Sequence, residues 1–187
     1  MTSPQSLATQ TQQPTTTWTI DPSHSQAEFT VRHLMISNVR GTIPIRRAMI
    51  VRDQDDITKS RVEAELDVAG LTSGAADRDA HLRSADFFDV AQHPTMRFRS
   101  TRIEKVEDGL RVHGELTIRN VARPIVLDVE LLGEGKDPWG GTRSGAVATT
   151  TFDRRDFGLT WNAALEAGGV LVGDKVKVHL NLQAVKQ

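Results

Sequence analysis

The chain has 187 residues, of which 38% are hydrophobic and 25% are charged. That length suits one domain with a substantial core, and the composition is that of a globular protein rather than a disordered one. The net charge of -1 argues against nucleic acid as a partner, because binding to its backbone requires a clustered basic excess. The absence of cysteine excludes disulfides, thiolate metal sites and cysteine nucleophiles.

Residues 1–17 are rich in Thr and Gln and contain no Lys, no Arg and no apolar run. They lack the basic start and hydrophobic centre of a secretory signal, so we expect a cytoplasmic protein, or a periplasmic or secreted one if a signal has been removed. The composition predicts a disordered polar tail, because it buries too little apolar area to offset the entropy of ordering. No window is apolar enough to cross a bilayer, so we expect no integral membrane segment and one domain over 18–187.

Beyond the tail, apolar residues recur at every second position. In the clearest segment, Val62, Ala64, Leu66 and Val68 alternate with charged residues. This alternation is typical of a strand with one face in an apolar interior. The same pattern, stronger or weaker, marks seven other segments: 27–32, 42–51, 95–103, 110–119, 125–132, 143–152 and 175–182. The sequence thus predicts about eight antiparallel strands, joined mostly as hairpins.

One insertion interrupts the strands. Residues 73–83 have a Ser near the start, acidic residues early and Arg later, which is the order that the helix dipole favours. Phe87 and Phe88 follow before Pro94 and predict a further turn. This insertion is large enough to act as a lid over an apolar interior.

Eight strands with one apolar face form either a sandwich of two sheets or a closed barrel, and the length of the chain favours closure. A barrel of about eight strands is either filled by side chains or able to hold one small ligand. The inward positions are rich in Val, Ala, Gly and Leu, which suits a ligand cavity and a closely packed core equally. The residues alone leave both readings open.

The polar residues indicate little chemistry. No pair of the six histidines has the spacing beside a carboxylate that makes a zinc site specific, so we predict no metal site. No Gly-x-Ser-x-Gly motif marks a nucleophile, and we predict no catalytic residues. Four arginines are candidates to hold an anionic diphosphate: Arg78, Arg83, Arg154 and Arg155.

His33 is in phase with Phe29 and Val31, so the alternation points its ring inward at the end of a strand. A buried polar ring needs a hydrogen-bond partner. One interpretation is a bond to a neighbouring strand or to the lid. The other is a donor to the head group of a ligand at the barrel mouth.

Four stretches, in order and at compatible distances, resemble the YceI-like family. They are DPSHS at 21–25 leading into FTVRH at 29–33, RDAHLRSADFFDVAQHPTMRFRS at 78–100, GELTIRNVARP at 114–124 and RDFGL at 155–159. The resemblance implies an all-β fold: an elongated, lipocalin-like, eight-stranded antiparallel barrel with a short helical lid. It also implies an apolar tunnel that holds a polyisoprenoid lipid.

The function implied by the resemblance is that of a carrier, storage or sequestering protein without enzymatic activity or cofactor. The ligand would be an isoprenoid quinone, a polyprenyl diphosphate or a similar long apolar lipid, and the protein a possible homodimer. Two alternatives stay open: an enzyme acting on such a lipid through His33 and an arginine, and a stress-response scavenger of assorted hydrophobic compounds. The residues expected to line the tunnel and lid are Phe29, Val31, His33, Val62, Ala64, Leu66, Val68, Leu82, Phe87, Phe88, Met96, Phe98, Leu116, Ile118, Phe157 and Trp161.

Overall fold

The computed structural model describes residues 14–166 and 168–187. Ten strands lie within them: β1 (Thr15–Ile20), β2 (Gln26–His33), β3 (Ser37–Ile43), β4 (Ile45–Asp53), β5 (Arg61–Asp67), β6 (Thr95–Val106), β7 (Gly109–Ile118), β8 (Val121–Lys136), β9 (Thr142–Asp153) and β10 (Val172–Lys186). The α-helix α1 spans Ala76–Arg83. Short 3₁₀ turns lie at Pro22–His24, Ile57–Lys59, Val68–Gly70 and Arg154–Phe157.

The sheet closes on itself through β1. This strand pairs antiparallel with β4 on one side, where Trp18 lies opposite Ile50, and with β10 on the other, where it lies opposite Lys186. The resulting ring runs β1-β4-β5-β6-β7-β8-β9-β10 and returns to β1. The expected eight-stranded antiparallel barrel is therefore confirmed. Its longest strand, β8, has 16 residues and spans about 50 Å, which makes the barrel elongated.

Short breaks in the chain separate β1 from β2 and β3 from β4. The Asp21 carboxylate accepts the backbone N–H of Ser23 and caps a 3₁₀ turn that separates β1 from β2. Pro44 separates β3 from β4, because proline has no N–H for the ladder. Beyond these breaks, the β2–β3 hairpin pairs with the first half of β10 and extends the wall at one end. These local breaks explain why the predicted strand over 42–51 is divided in the structure.

The insertion lies over the same end of the barrel. It leaves β5 at Asp67, forms α1 and returns to β6 at Thr95. Two backbone hydrogen bonds between Thr42 and Thr72, of 2.8 and 3.0 Å, attach it to β3. We call residues 68–94 the lid, the end that they cover the lid end, and the opposite end the far end.

Only the last part of the polar tail predicted for 1–17 lies within the described residues. Residues 1–13 lie outside the described part of the chain, whereas Thr15, Thr16 and Thr17 belong to β1 and pair with β4. The first strand thus begins at Thr15, within the segment expected to be a tail. Among the described residues, no helix is both long and apolar enough to cross a membrane.

Candidate functional site

The barrel encloses a cavity of about 510 Å³ that extends from the lid into the middle of the barrel. This volume lies within the range of roughly 300–1,000 Å³ typical of small-molecule sites. Its walls are inward-facing side chains from all ten strands. The small residues of the walls leave the interior partly unfilled. Of the two possibilities that composition left open, a ligand cavity and a closely packed core, the structure therefore has the cavity.

Fourteen of the sixteen side chains expected from the sequence line this cavity: Phe29, Val31, His33, Val62, Ala64, Leu66, Leu82, Phe87, Phe88, Met96, Phe98, Leu116, Ile118 and Trp161. Val68 lies outside the lining, because the Asp67 carboxylate caps a 3₁₀ turn that ends β5 and rotates Val68 into the packed core. Phe157 also lies outside it and packs edge-on against Phe152, with ring centroids 5.2 Å apart. Phe152 itself faces the cavity.

Two aromatic rings of the lining lie across glycines. A Cβ atom on Gly41 would stand 2.4 Å from the ring of Phe29, and one on Gly114 would stand 2.3 Å from the ring of Phe98. Both distances are far below van der Waals contact. The glycines therefore let each ring lie flat along the wall, so that large residues line the cavity without filling it.

The sequence interpretation missed part of the lining. The omitted side chains include Ala48 and Ile50 of β4, Ile125 and Leu127 of β8, and four residues of β10: Val176, Val178, Leu180 and Leu182. The β10 residues alternate with polar ones as clearly as those of β5 do. The same period-two signal would have identified them.

The lining is polar at the lid end and aliphatic in the lower half. The polar groups of the lining come from three segments: Glu28, Arg32 and His33 of β2, Asp77, Arg78 and His81 of α1, and Thr150 and Arg154 at the end of β9 and just beyond it. The lower half is lined by aliphatic residues that include Ile20, Ile50 and Leu182. The cavity is thus amphiphilic along its length.

The far end has its own closure. The guanidinium of Arg52 on β4 donates to the carboxylate of Glu134 on β8. Three strands separate β4 from β8 in either direction around the ring, so this ion pair crosses the lumen. Arg52 and Glu134 lie outside the cavity lining, and their pair narrows the lumen below it.

Three rings close the lid over the cavity. His81 lies edge-on to Phe87 and to Trp161, with centroids 5.1 and 4.5 Å apart, and Phe87 lies 5.4 Å from Trp161. The His81 Nε2 atom is 2.9 Å from a carboxylate oxygen of Asp86. Helix, turn and the loop after β9 thus meet in one aromatic cluster.

Polar contacts order the lid internally and attach it to the barrel. Asp79, only 6% exposed, accepts the Ser73 N–H at 2.7 Å and the Thr72 hydroxyl at 3.0 Å. The Ser73 hydroxyl also donates to this carboxylate, and its hydrogen bond holds the pKa of Asp79 below the ordinary range although burial opposes the shift. Arg119, in the β7–β8 turn, donates to the carbonyl of Phe87 at 2.8 Å. Asp79 therefore orders the lid internally, and Arg119 attaches its aromatic part to the barrel.

Arg154 organises the loop that faces the lid. Its side chain is 3% exposed and donates to the carbonyls of Leu159, Trp161 and Gly173, the last two at 2.9 Å. Burial lowers the pKa of Arg154, and the nearby carboxylate of Asp174 counteracts this shift. The guanidinium positions Trp161 against His81 rather than offering itself to a ligand.

The other candidate phosphate ligands are also engaged. Arg83 donates to the carbonyls of Ala69 and Leu71, and Arg155 pairs with Asp153 at 2.7 Å. Arg78 lines the cavity while it donates to the Ser73 carbonyl at 2.9 Å. Of the four candidates, only Arg78 is both exposed and directed towards the cavity.

Comparison with known proteins agrees with the geometry. Residues 18–184 match the YceI-like domain. A UPF0312 protein of Serratia proteamaculans is 37% identical over 137 residues, which cover 73% of this chain and 71% of the relative. The crystal structure of BcnA from Burkholderia cenocepacia superposes with a TM-score of 0.76 at 18% identity, covering 88% of this chain and 98% of that one.

A further solved structure, a polyisoprenoid binding domain from Saccharophagus degradans implicated in plant cell wall breakdown, has a TM-score of 0.62 at 13% identity, and the match covers 89% of this chain and 97% of that domain. At such low identity these two structures support the fold alone. The family assignment comes from the domain match and the Serratia relative. This chain belongs to the YceI-like family.

Proposed function

We propose that this protein binds a polyisoprenoid or similar long apolar lipid in its barrel and serves as a carrier, store or sequestering protein. The observation that carries the proposal is the cavity of about 510 Å³, which is lined mainly by apolar side chains and has most of its charged groups near the lid. An isoprenoid chain gains roughly 25 cal/mol for every square ångström of apolar surface removed from water. The aliphatic side chains that line the cavity can therefore bind a lipid tail without specific polar contacts.

The direction of the cavity suggests the direction of the ligand. The tail would lie along the aliphatic half, towards Ile20 and Leu182, and the head group would lie near Arg78, His81 and His33. Guanidinium and imidazole groups donate hydrogen bonds both to phosphate oxygens and to a quinone carbonyl. An isoprenoid quinone and a polyprenyl diphosphate are the two ligand classes that fit this arrangement.

A binding role fits the site better than a catalytic one. Arg83 and Arg154, which an enzyme would use to anchor phosphate, donate to backbone carbonyls instead. The polar groups of the lining carry no nucleophile with an adjacent base among the described residues. The Saccharophagus structure is that of a polyisoprenoid binding domain, which further supports lipid binding here.

The test is to extract the purified protein with organic solvent and to identify the extracted lipids by mass spectrometry. We expect a polyprenyl species, and its head group decides between quinone and diphosphate. Titration of the delipidated protein with a fluorescent polyprenyl probe should then give saturable binding. An extract without lipid, together with no binding of the probe, would contradict the proposal.

A further inference from the structure

The hairpin between β2 and β3 carries large apolar side chains into solvent at the lid end. Ile36 is 79% exposed and Met35 is 51% exposed. Leu34 and Met35 have φ angles of 51° and 63°, in the left-handed region that bulky residues rarely adopt. Met35 and Ile36 lie outside the cavity lining. These apolar side chains therefore contribute neither to the packed core nor to the cavity lining.

A second apolar segment lies against the tip. The Leu34 N–H donates to the Leu171 carbonyl at 2.9 Å, and a Cβ on Gly169 would stand 3.5 Å from Met35 Cγ. The described residues of this loop are Ala, Leu, Gly and Val, with Glu166 as the one charged group among them. We call residues 34–36, 163–166 and 168–171 the apolar rim.

The apolar rim borders the mouth of the cavity. His33, next to the hairpin tip, and Leu171, next to β10, both line the cavity. His33 pairs with Val172 in the ladder, so the two segments of the rim meet where the lining ends. A lipid that leaves the cavity beside these residues passes over the rim.

Basic side chains flank the tip. Arg32 and Arg40 are both exposed, and Arg32 donates to Asn38 at 3.3 Å. An apolar tip with arginines behind it fits a bilayer, where the tip meets acyl chains and guanidinium groups meet lipid phosphates. Glu166 is the single acidic residue of the rim.

We propose that the apolar rim docks on a lipid bilayer and inserts Met35 and Ile36, so that a lipid moves between membrane and cavity without crossing water. The proposal rests on the lipid-binding function argued above. Passage through water would expose the entire isoprenoid chain, at about 25 cal/mol for every square ångström. A mouth that touches the membrane keeps most of that surface covered during transfer.

The far end of the barrel offers a matched control. Trp139, in the β8–β9 turn, is 85% exposed and lies outside the cavity lining. Because β8 runs away from the lid, this tryptophan lies at the far end, about 50 Å from the lid end as measured along the strand. Its large aromatic ring is well suited to an interface. Ile36→Asp and Trp139→Asp therefore remove comparable exposed surface from opposite ends.

The experiment measures two quantities for the full chain and both variants. The first is co-sedimentation with vesicles of phosphatidylcholine and phosphatidylglycerol. The second is the rate at which a fluorescent polyprenyl probe transfers from those vesicles to the protein. We expect Ile36→Asp to reduce both roughly tenfold, as the loss of one buried aliphatic side chain would, and Trp139→Asp to leave both unchanged.

A third measurement separates this proposal from the proposed function. Probe added directly in solution should bind Ile36→Asp as tightly as the unaltered protein. Unchanged transfer from vesicles in Ile36→Asp, or equal losses in both variants, would overturn docking through the rim. Absence of probe binding in solution would instead contradict the lipid-binding function, while co-sedimentation would still test docking. If Ile36→Asp melts early, the milder Met35→Ser/Ile36→Ser variant replaces it.

Discussion

The two ends of the barrel are closed in different ways. At the far end, β1 completes the ring of strands and the Arg52–Glu134 pair crosses the lumen. At the lid end, the closing segment is an insertion, which the backbone bonds of Thr72 to Thr42 and the hydrogen bond from Arg119 attach to the barrel. A continuous ladder opens only by unfolding. A segment attached by a few polar contacts opens locally at much lower free energy.

Because of this difference, we expect one end of the barrel to determine the stability of the fold and the other to determine the rate of ligand exchange. Residues that close the ring, such as Trp18, are expected to set the free energy of unfolding. Residues of the lid, such as Phe87, are expected to set how long a ligand stays. Substitutions at the two ends should therefore change different measurements.

The largest effect is expected from Trp18→Ala at the ring closure. Trp18 is 3% exposed, lies outside the cavity lining and packs with Ile20, Ile45 and Ala184. Truncating a buried tryptophan costs about 3–5 kcal/mol of unfolding free energy. Denaturant unfolding should show this loss, whereas Trp139→Ala, which truncates a side chain that is 85% exposed, should change stability little. Equal losses would mean that the closure at β1 is not a major source of stability.

The next effect concerns the cavity rather than the fold. Ala64 lines the middle of the cavity, between Ala48 and Phe98 on neighbouring strands. Ala64→Trp should occupy the space of the ligand and weaken binding of a polyprenyl probe roughly a hundredfold, which corresponds to the loss of a large buried apolar contact.

The matched control for Ala64→Trp is Glu63→Trp, which places the same ring on the outer face of the same strand, where Glu63 has a side chain 58% exposed. Probe titration and a melting curve on both variants separate loss of the site from loss of the fold. Probe affinity that is unaltered in a folded Ala64→Trp variant would show that the ligand binds elsewhere.

The sequence predicted the barrel wall well, because alternation is a local property. Val62, Ala64 and Leu66 face the cavity as their period predicts. Val68 continues the period but not the strand, since the Asp67 side chain bonds the Ala69 N–H and starts a turn. Alternation records which residues are apolar, and a capping contact decides where the strand ends.

The lid and its anchors were less predictable. Phe87 and Phe88 were expected at the barrel end from their apolar character, and both line the cavity. Arg154 was one of four candidate phosphate ligands, yet it donates to backbone carbonyls of residues up to 19 positions away. Such contacts depend on which distant segments the fold brings together, and the alternation of apolar residues carries no information about that. The polarity gradient along the cavity has the same origin, because it arises from three separate segments.

A smaller effect on stability, with a selective effect on exchange, is expected from Phe87→Ala/Phe88→Ala. Phe87 is 6% exposed and contacts His81 and Trp161 over the mouth. Removing both rings should raise the off-rate of a bound probe about tenfold and alter the on-rate less, because a lid chiefly governs residence time. Stopped-flow displacement measures the off-rate.

The control for the lid is Phe157→Ala, which removes a ring that is 1% exposed and lies outside the cavity lining. It should lower stability by several kcal/mol, as a core truncation does, without a selective effect on release. If Phe87→Ala/Phe88→Ala behaves in the same way, with a destabilised fold and an unaltered off-rate, the two phenylalanines only complete the core.

The smallest effect is expected from Asp79→Asn, and it depends on pH. The hydroxyl and N–H of Ser73 hold the pKa of Asp79 below its ordinary value. A carboxyl with a lowered pKa in the folded state stabilises the fold above its unfolded pKa, which is about 3.9, and loses that contribution as the pH falls through the folded value. Asp79→Asn removes a hydrogen-bonded charge, so it should lower the free energy of unfolding by about 1–2 kcal/mol at pH 7 and by progressively less in acid.

Chemical unfolding of the unaltered protein and of Asp79→Asn from neutral to acid pH measures this difference. The control is Asp77→Asn, which alters an exposed carboxylate on the same helix. A difference for Asp79→Asn that stayed constant with pH would show that the lid is held by the shape of the side chain rather than by its charge.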